Sequence, residues 1–151
     1  MSEGYNGLYR GKVVQRGDER MKGRIKVIIP SISGPEGKSQ WVDLCMNVAY
    51  DNGGDIAIPK IGDTCWIMFE EGDVTKPVYM GNFFSAFKTP LPDYDEDTRV
   101  ISWDECRIEM KGERMAITVG DNTMIEITGS TIAVKTSDEI AMAAGHIGLN
   151  D

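Results

Sequence analysis

CRIEMKGERMAITVGDNTMIEITGSTIAVKTSDEIAMAAGHIGL, residues 106–149, carries a rhythm that decides the fold. Apolar pairs recur along it: Ile108/Met110, Ile117/Val119, Ile125/Ile127, Ile132/Val134, Ile140/Met142 and Ile147/Leu149. Their first members are 9, 8, 7, 8 and 7 residues apart. Each pair has i, i+2 spacing, so in an extended strand both side chains point to one face. Turn residues separate the pairs: Lys111-Gly112-Glu113, Gly120-Asp121-Asn122, Gly129-Ser130, Ser137-Asp138-Glu139 and Gly145-His146. Ile, Val and Thr dominate the strands, as β-branched side chains favour a pleated surface.

Two architectures fit this period. One is an antiparallel meander, since the Gly-Asp, Asp-Asn and Gly-Ser turns are legitimate hairpin turns. A lone meander leaves its apolar face and its edges open. The other is an intertwined β-helix of three chains. Each chain supplies one side of a triangular prism, and the inward pairs meet on the axis. About eight residues are too few for one chain to complete a three-sided turn, so neighbouring chains share each layer. Six inward aliphatic side chains per layer, at ~1.5–3 kcal/mol each, would make such a rod stiff.

Upstream the pattern changes. LYRGKVVQR (8–16), RIKVIIPSI (24–32), WVDLCMNV (41–48), TCWIMFEEGD (64–73) and KPVYMGNFF (76–84) read as five strands with long, unequal loops between them. Pro30 is expected to end regular pairing or bend the second strand. In the third, Val42, Leu44, Met46 and Val48 form the better core face. No segment has a clear helical period. The spacing suggests a small Greek-key barrel of the OB type, with another small barrel or sandwich as the alternative. SAFKTPLPDYDEDT (85–98), stiffened by Pro90 and Pro92 and solvated by acidic residues, reads as a connector. The expected organisation is all-β: a five-stranded barrel over 1–84, a linker over 85–99 and the repeat region over 100–151.

Charge divides along the same line. Residues 1–90 hold 11 Lys+Arg against 11 Asp+Glu, whereas residues 91–151 hold 5 against 13, which accounts for the net −8 of the 151-residue chain. An acidic half repels phosphate backbones and argues against nucleic-acid binding there. The basic residues of the first hairpin, Arg10, Lys12, Lys22, Arg24 and Lys26 among them, suit an acidic protein partner. No apolar run is long enough for a membrane span, and MSEGYNGLYRGK lacks a signal-peptide core, so assembly in a cytoplasm is expected. Cys45, Cys65 and Cys106 form no CxxC and read as buried, reduced thiols.

Residues 1–84 resemble the OB domain of central spike proteins from contractile phage tails and related injection systems, including type VI secretion spikes. The resemblance rests on Gly11-Lys12-Val13-Val14, Met21-Lys22-Gly23-Arg24-Ile25-Lys26-Val27 with Pro30, and Trp41-Val42. It continues through Pro59 with Ile61-Gly62-Asp63, Phe69-Glu70-Glu71-Gly72-Asp73, Lys76-Pro77-Val78 and Gly81. It implies a trimeric β-helix of about eight-residue repeats after the barrel, as residues 106–149 suggest. It further implies a homotrimer in the virion's tail baseplate, attached to a hub protein at the tube end and in transient contact with the host envelope. The twelve residues of the six pairs would then be the trimer core, and the five hairpin cations a hub contact. Phage, tailocin and secretion machine share the pattern. A small capping protein at the tip is compatible with it.

Chemistry is sparse. Only a short connector stands where some spikes carry a lysozyme domain, so no wall-degrading activity is expected. Some short spikes end in a His-x-His motif that holds iron on the trimer axis. Here one histidine, His146, is present, and it reads either as a turn residue or as one of three copies binding iron or another transition metal. A Ser-His-Asp or Cys-His set would have to use that same residue. No cofactor and no catalytic residue are expected. The reading of a different class is an OB-fold single-stranded nucleic-acid-binding protein with an acidic C-terminal tail. It requires a basic groove with free aromatic platforms.

Overall fold

Alternation builds the first unit. In the computed structural model, residues 4–85 and 95–142 are described, and the chain divides into two units, Met1–Pro90 and Leu91–Asp151. Strands β1 (Tyr9–Gln15), β2 (Ile25–Ile28), β3 (Gln40–Leu44), β6 (Thr64–Phe69) and β7 (Pro77–Asn82) close into a barrel in the order β1-β2-β3-β7-β6. Every barrel pair is antiparallel except β3–β7, the parallel seam made by the long connection between them. Val13, Ile25, Val27, Val42, Cys65 and Ile67 are fully buried inside it, with Ile29 and Phe69 closing its ends. The five strands read from the sequence are these five. A two-residue-strand hairpin, β4 (Ala49–Tyr50) and β5 (Gly53–Gly54), occupies the excursion after β3.

Gly11 is the tightest point of the barrel. A Cβ there would stand 2.5 Å from Val27 Cγ1, 3.1 Å from Ile67 Cγ1 and 3.2 Å from Cys65 Sγ, so any side chain would displace core atoms. Gly72 plays a different part. Its φ of 75° completes the Glu70–Gly72 turn of 3-10 helix, and its carbonyl accepts the Tyr5 N–H at 2.9 Å.

Three local readings need correction. Two short helical turns occur where none was expected. In α1 (Pro30–Ser33), Pro30 has the fixed φ that suits a helix start, and Gly34 at φ 81° stops the turn. Regular pairing does end before Pro30, at Ile28. Strand β3 stops at Leu44, so Val48 is exposed rather than core. Of the three thiols only Cys65 is buried; Cys45 lies just past β3, and Cys106 sits on an uncovered sheet face.

The second unit is a five-stranded antiparallel meander, β8 (Thr98–Trp103), β9 (Cys106–Lys111), β10 (Arg114–Val119), β11 (Thr123–Ile127) and β12 (Ile132–Lys135), paired in chain order. The single chain thus takes the meander of the two architectures its repeat allows, and the intertwined β-helix expected over 100–151 is not seen in it. Asp104, Gly112 and Gly120, each at a φ of 50–59°, open the first three turns. Strand β8 starts at Thr98, ahead of the expected start of the repeats. The pair Ile140/Met142 lies in no strand, and both residues are exposed. His146, Ile147 and Leu149 lie outside the described residues.

Candidate functional site

Register turns the repeat into a surface. Ile101 faces Ile108, Ile108 faces Ile117, Ile117 faces Ile125 and Ile125 faces Val134, so one straight row of aliphatics crosses all five strands. A second row runs Arg99–Met110–Met115–Ile127–Ile132, and a third runs Trp103–Cys106–Val119–Thr123. Directly opposed residues share a face, so the pairs from Ile108/Met110 to Ile132/Val134 all lie on one side of the sheet. Nothing in the described chain covers that side. Ile101 is 56% exposed, Ile117 37%, Ile125 38% and Ile132 73%.

The opposite side is complete in itself. Arg114 Nε donates to Glu126 Oε2 at 2.6 Å on β11, and its Nη1 donates to Glu109 Oε1 at 2.9 Å on β9. Arg107 also pairs with Glu109. The guanidinium therefore spans three strands. Beneath it lies Ala116, opposite both Glu109 and Glu126, and it is the one buried residue among those described in this unit. A larger residue at 116 would lift the clamp. Arg107 and Arg114 hold the Glu109 carboxyl below its ordinary pKa. At the rim, Lys111 pairs with Asp95, which lowers the Asp95 carboxyl and raises the Lys111 ammonium.

The sequence reading missed Ile101, Trp103 and Met115 on the apolar face. The signal was present: Ile101/Trp103 is another i, i+2 pair, seven residues before Ile108. A charged neighbour, Arg99, obscured its membership. Met115 was missed because it extends a pair already counted.

On the barrel, the outward residues of β1 and β2 gather most of the expected cations. The Arg10 guanidinium carbon lies 5.2 Å from the Trp66 ring centroid and 4.9 Å from that of Phe83. Lys26 Nζ lies 5.0 Å from the Trp41 centroid and the Arg24 guanidinium 5.2 Å from it. Lys12 stands on the same outer face, opposite Ile28 on one side and Thr64 on the other. Arg24 is internally spent. It makes a two-pronged pair with Asp18 at 2.7 and 3.0 Å, while Asp18 also accepts the backbone N–H groups of Arg20 and Lys22. That cage holds the Asp18 carboxyl far below its usual range, Arg24 being the main cause. Lys22 joins through its backbone, in the loop and not on the strand face.

Catalytic groups do not assemble among the described residues. No cluster of three or more His, Cys, Asp and Glu side chains has metal-binding geometry there. Burial, with the neighbouring Asp63, pushes the Cys65 thiol up to about 12, too high to supply a thiolate near neutral pH. Glu70 and Glu71 lie in the 3-10 turn. Three of the barrel's rings are already in use: Trp66 and Phe83 pack at 4.6 Å under Arg10, and Trp41 lies against two cations, whereas Tyr50 and Phe84 are exposed.

Two comparisons with known proteins agree with this barrel. Residues 9–84, from the start of β1 to just past β7, match the family described as the type VI secretion system/phage-baseplate injector OB domain. An 82-residue stretch is 34% identical to the actin cross-linking toxin VgrG1 of Vibrio cholerae serotype O1, covering 50% of this chain and 8% of that protein. The chain thus corresponds to a small part of that relative. A closed five-stranded barrel with a parallel β3–β7 seam, matched over its whole length, settles the family: this chain belongs to the injector OB-domain family of type VI secretion systems and phage baseplates.

Proposed function

We propose that this chain is the central spike of a contractile injection machine, working as a homotrimer whose C-terminal sheets close on one another. The observation that carries the reading is the contrast between the two faces of the meander. The clamped charged face needs nothing further, whereas the rows through Ile117 and Ile127 have no cover among the described residues. Three copies, each contributing one side of a prism, would bring these rows together in a dry core. The segment with Ile140 and Met142 continues the same pattern and would add layers in the assembly. The barrels would attach to the hub at the end of the tail tube and the sheets would point away from it. Sheath contraction then pushes a stiff rod through the envelope, and no bond is broken by this chain. Family membership supports the injection-machine setting; the apolar rows support the trimer.

The alternative of a single-stranded nucleic-acid binder finds less support, because the rings beside the basic hairpin, Trp41, Trp66 and Phe83, already lie against cations and the second unit is acidic. Sedimentation or native mass measurement of the full chain tests the proposal. A trimer that persists at high dilution is expected, and a stable monomer overturns it. For His146, metal analysis of the purified protein is the corresponding measurement, with an axial iron or other transition metal expected at one ion per three chains if the residue has that role.

A further inference from the structure

We infer that the outer face of the barrel's β1–β2 hairpin is a docking surface for an extended acidic segment of a partner protein, with Arg10, Lys12 and Lys26 as its anchors. The spike reading requires the barrel to attach to something, and this inference rests on that reading only in naming the chemistry of the attachment. Its evidence is the barrel's own geometry.

The cations on the outer face of β1 and β2 differ from those that pair with carboxylates. Arg24, Lys76, Arg107, Lys111 and Arg114 each pair with a carboxylate. Arg10, Lys12 and Lys26 have no ion pair among the described residues. Yet two of those three are not loose. Arg10 is held over Trp66 and Phe83, and Lys26 over Trp41. A ring fixes a cation's position without neutralising it. The side-chain ordering that normally weakens an exposed ion pair is therefore already partly met before a partner arrives.

Spacing selects the partner. Arg10 and Lys12 are i, i+2 on β1, about 7 Å apart along the strand. Lys12 is opposite Ile28, and Lys26 stands two residues before Ile28 on β2, set opposite Gln15 by the bulge in β1, so it continues the line of charge on the neighbouring strand. An extended peptide presents alternate side chains at the same repeat, so carboxylates at its i and i+2 positions meet successive cations. The barrel is closed, so such a segment cannot add as a strand and must bind through side chains. Bases are disfavoured because they need the ring faces that Arg10, Arg24 and Lys26 occupy.

The probe is a fluorescent peptide of alternating Glu and Thr, titrated with the full chain at low salt. A Lys-Thr peptide and an oligothymidine strand are run beside it, and solution mass is measured on every sample. Binding of the Glu-Thr peptide is expected, weakened by salt and by about fivefold for Lys12→Glu or Lys26→Glu, and retained in Lys12→Arg. Absence of peptide binding, or binding unchanged in both charge reversals, overturns the inference. So does tighter binding of oligothymidine through the same residues. If the peptide fails while the mass stays trimeric, the docking face is wrong and the spike stands. If the mass is monomeric while the peptide binds, the spike reading falls and the face stands.

Discussion

The barrel and the meander each contain five strands, yet they bury their side chains in opposite ways. The barrel closes on itself and hides eight residues in one cluster. The meander stays open and buries only Ala116 among its described residues, on its charged side. The difference does not come from composition, since Ile and Val supply both. It comes from curvature. Gly11 lets β1 press against Val27 and Ile67, and bulges in β1 and between β6 and β7 bend the sheet until its ends meet. The meander has short turns, even register and no bulge between its strands, so nothing curls it. The sheet stays open, and its aliphatic rows are what the proposed trimer would cover.

The most forceful way to break this comparison is to charge the open face. Ile127→Asp or Val134→Asp should abolish the trimer while the barrel keeps its fold, because three carboxylates would meet in a dry core. Solution mass and, in a Trp103→Phe background, the fluorescence of the barrel's Trp41 and Trp66 read the two parts separately. An unchanged trimer would mean that the apolar rows face something other than sister chains.

A gentler pair of changes sharpens the same point. Ile67→Ala empties a fully buried barrel site and should cost about 2–5 kcal/mol in denaturant unfolding. Ile117 is 37% exposed in the single subunit, where its truncation should cost under about 1 kcal/mol. If three sheets close on it, Ile117→Ala should approach the Ile67→Ala value. A small effect in the full chain would leave the face uncovered.

Much of this contrast was legible in the sequence. The Ile25/Val27 alternation and the turn spacing located all five barrel strands, and the i, i+2 pairs located β9 to β12. What escaped were features that depend on distant partners. Ala116 has no special pattern; only the register that places Glu109 and Glu126 beside it makes it buried. Cys45 sits in an apolar run, but β3 ends one residue earlier, where it joins β7. The hairpin cations were visible as a cluster, but their sorting was not. Arg24 belongs to Asp18, whereas Arg10 and Lys26 rest on aromatic rings from other strands.

Acid should separate the two units next. Asp18 has its folded-state pKa depressed by Arg24 and two backbone donors, so its contribution is fully present above the ordinary carboxylate value of 3.8. That contribution is lost only as pH falls through the lower folded value. Asp18→Asn should therefore lower the barrel's thermal midpoint at neutral pH. The gap to the unsubstituted protein should narrow below about pH 4 and vanish in strong acid. A gap that is constant with pH would mean that the carboxylate's charge is irrelevant and only its shape matters.

The smallest expected effect lies on the charged side of the meander. Arg114 is 40% exposed and its partners Glu109 and Glu126 are 23% and 26% exposed, so solvent screens both pairs. Arg114→Ala should cost under about 1 kcal/mol, and less with added salt. The Glu109 carboxyl, held low by Arg107 and Arg114, keeps its share of that stabilisation above its unfolded-state pKa and loses it as pH falls through the depressed folded value. The size of the effect reports which face of the sheet would meet water in the proposed trimer. If the charged face is the outside of the assembly, removing the clamp leaves exposed carboxylates that water can solvate. A loss of several kcal/mol would instead mean that the clamp is desolvated in the assembly, because an unpaired buried carboxylate is costly. The prism would then be inside out, with the aliphatic rows needing another cover.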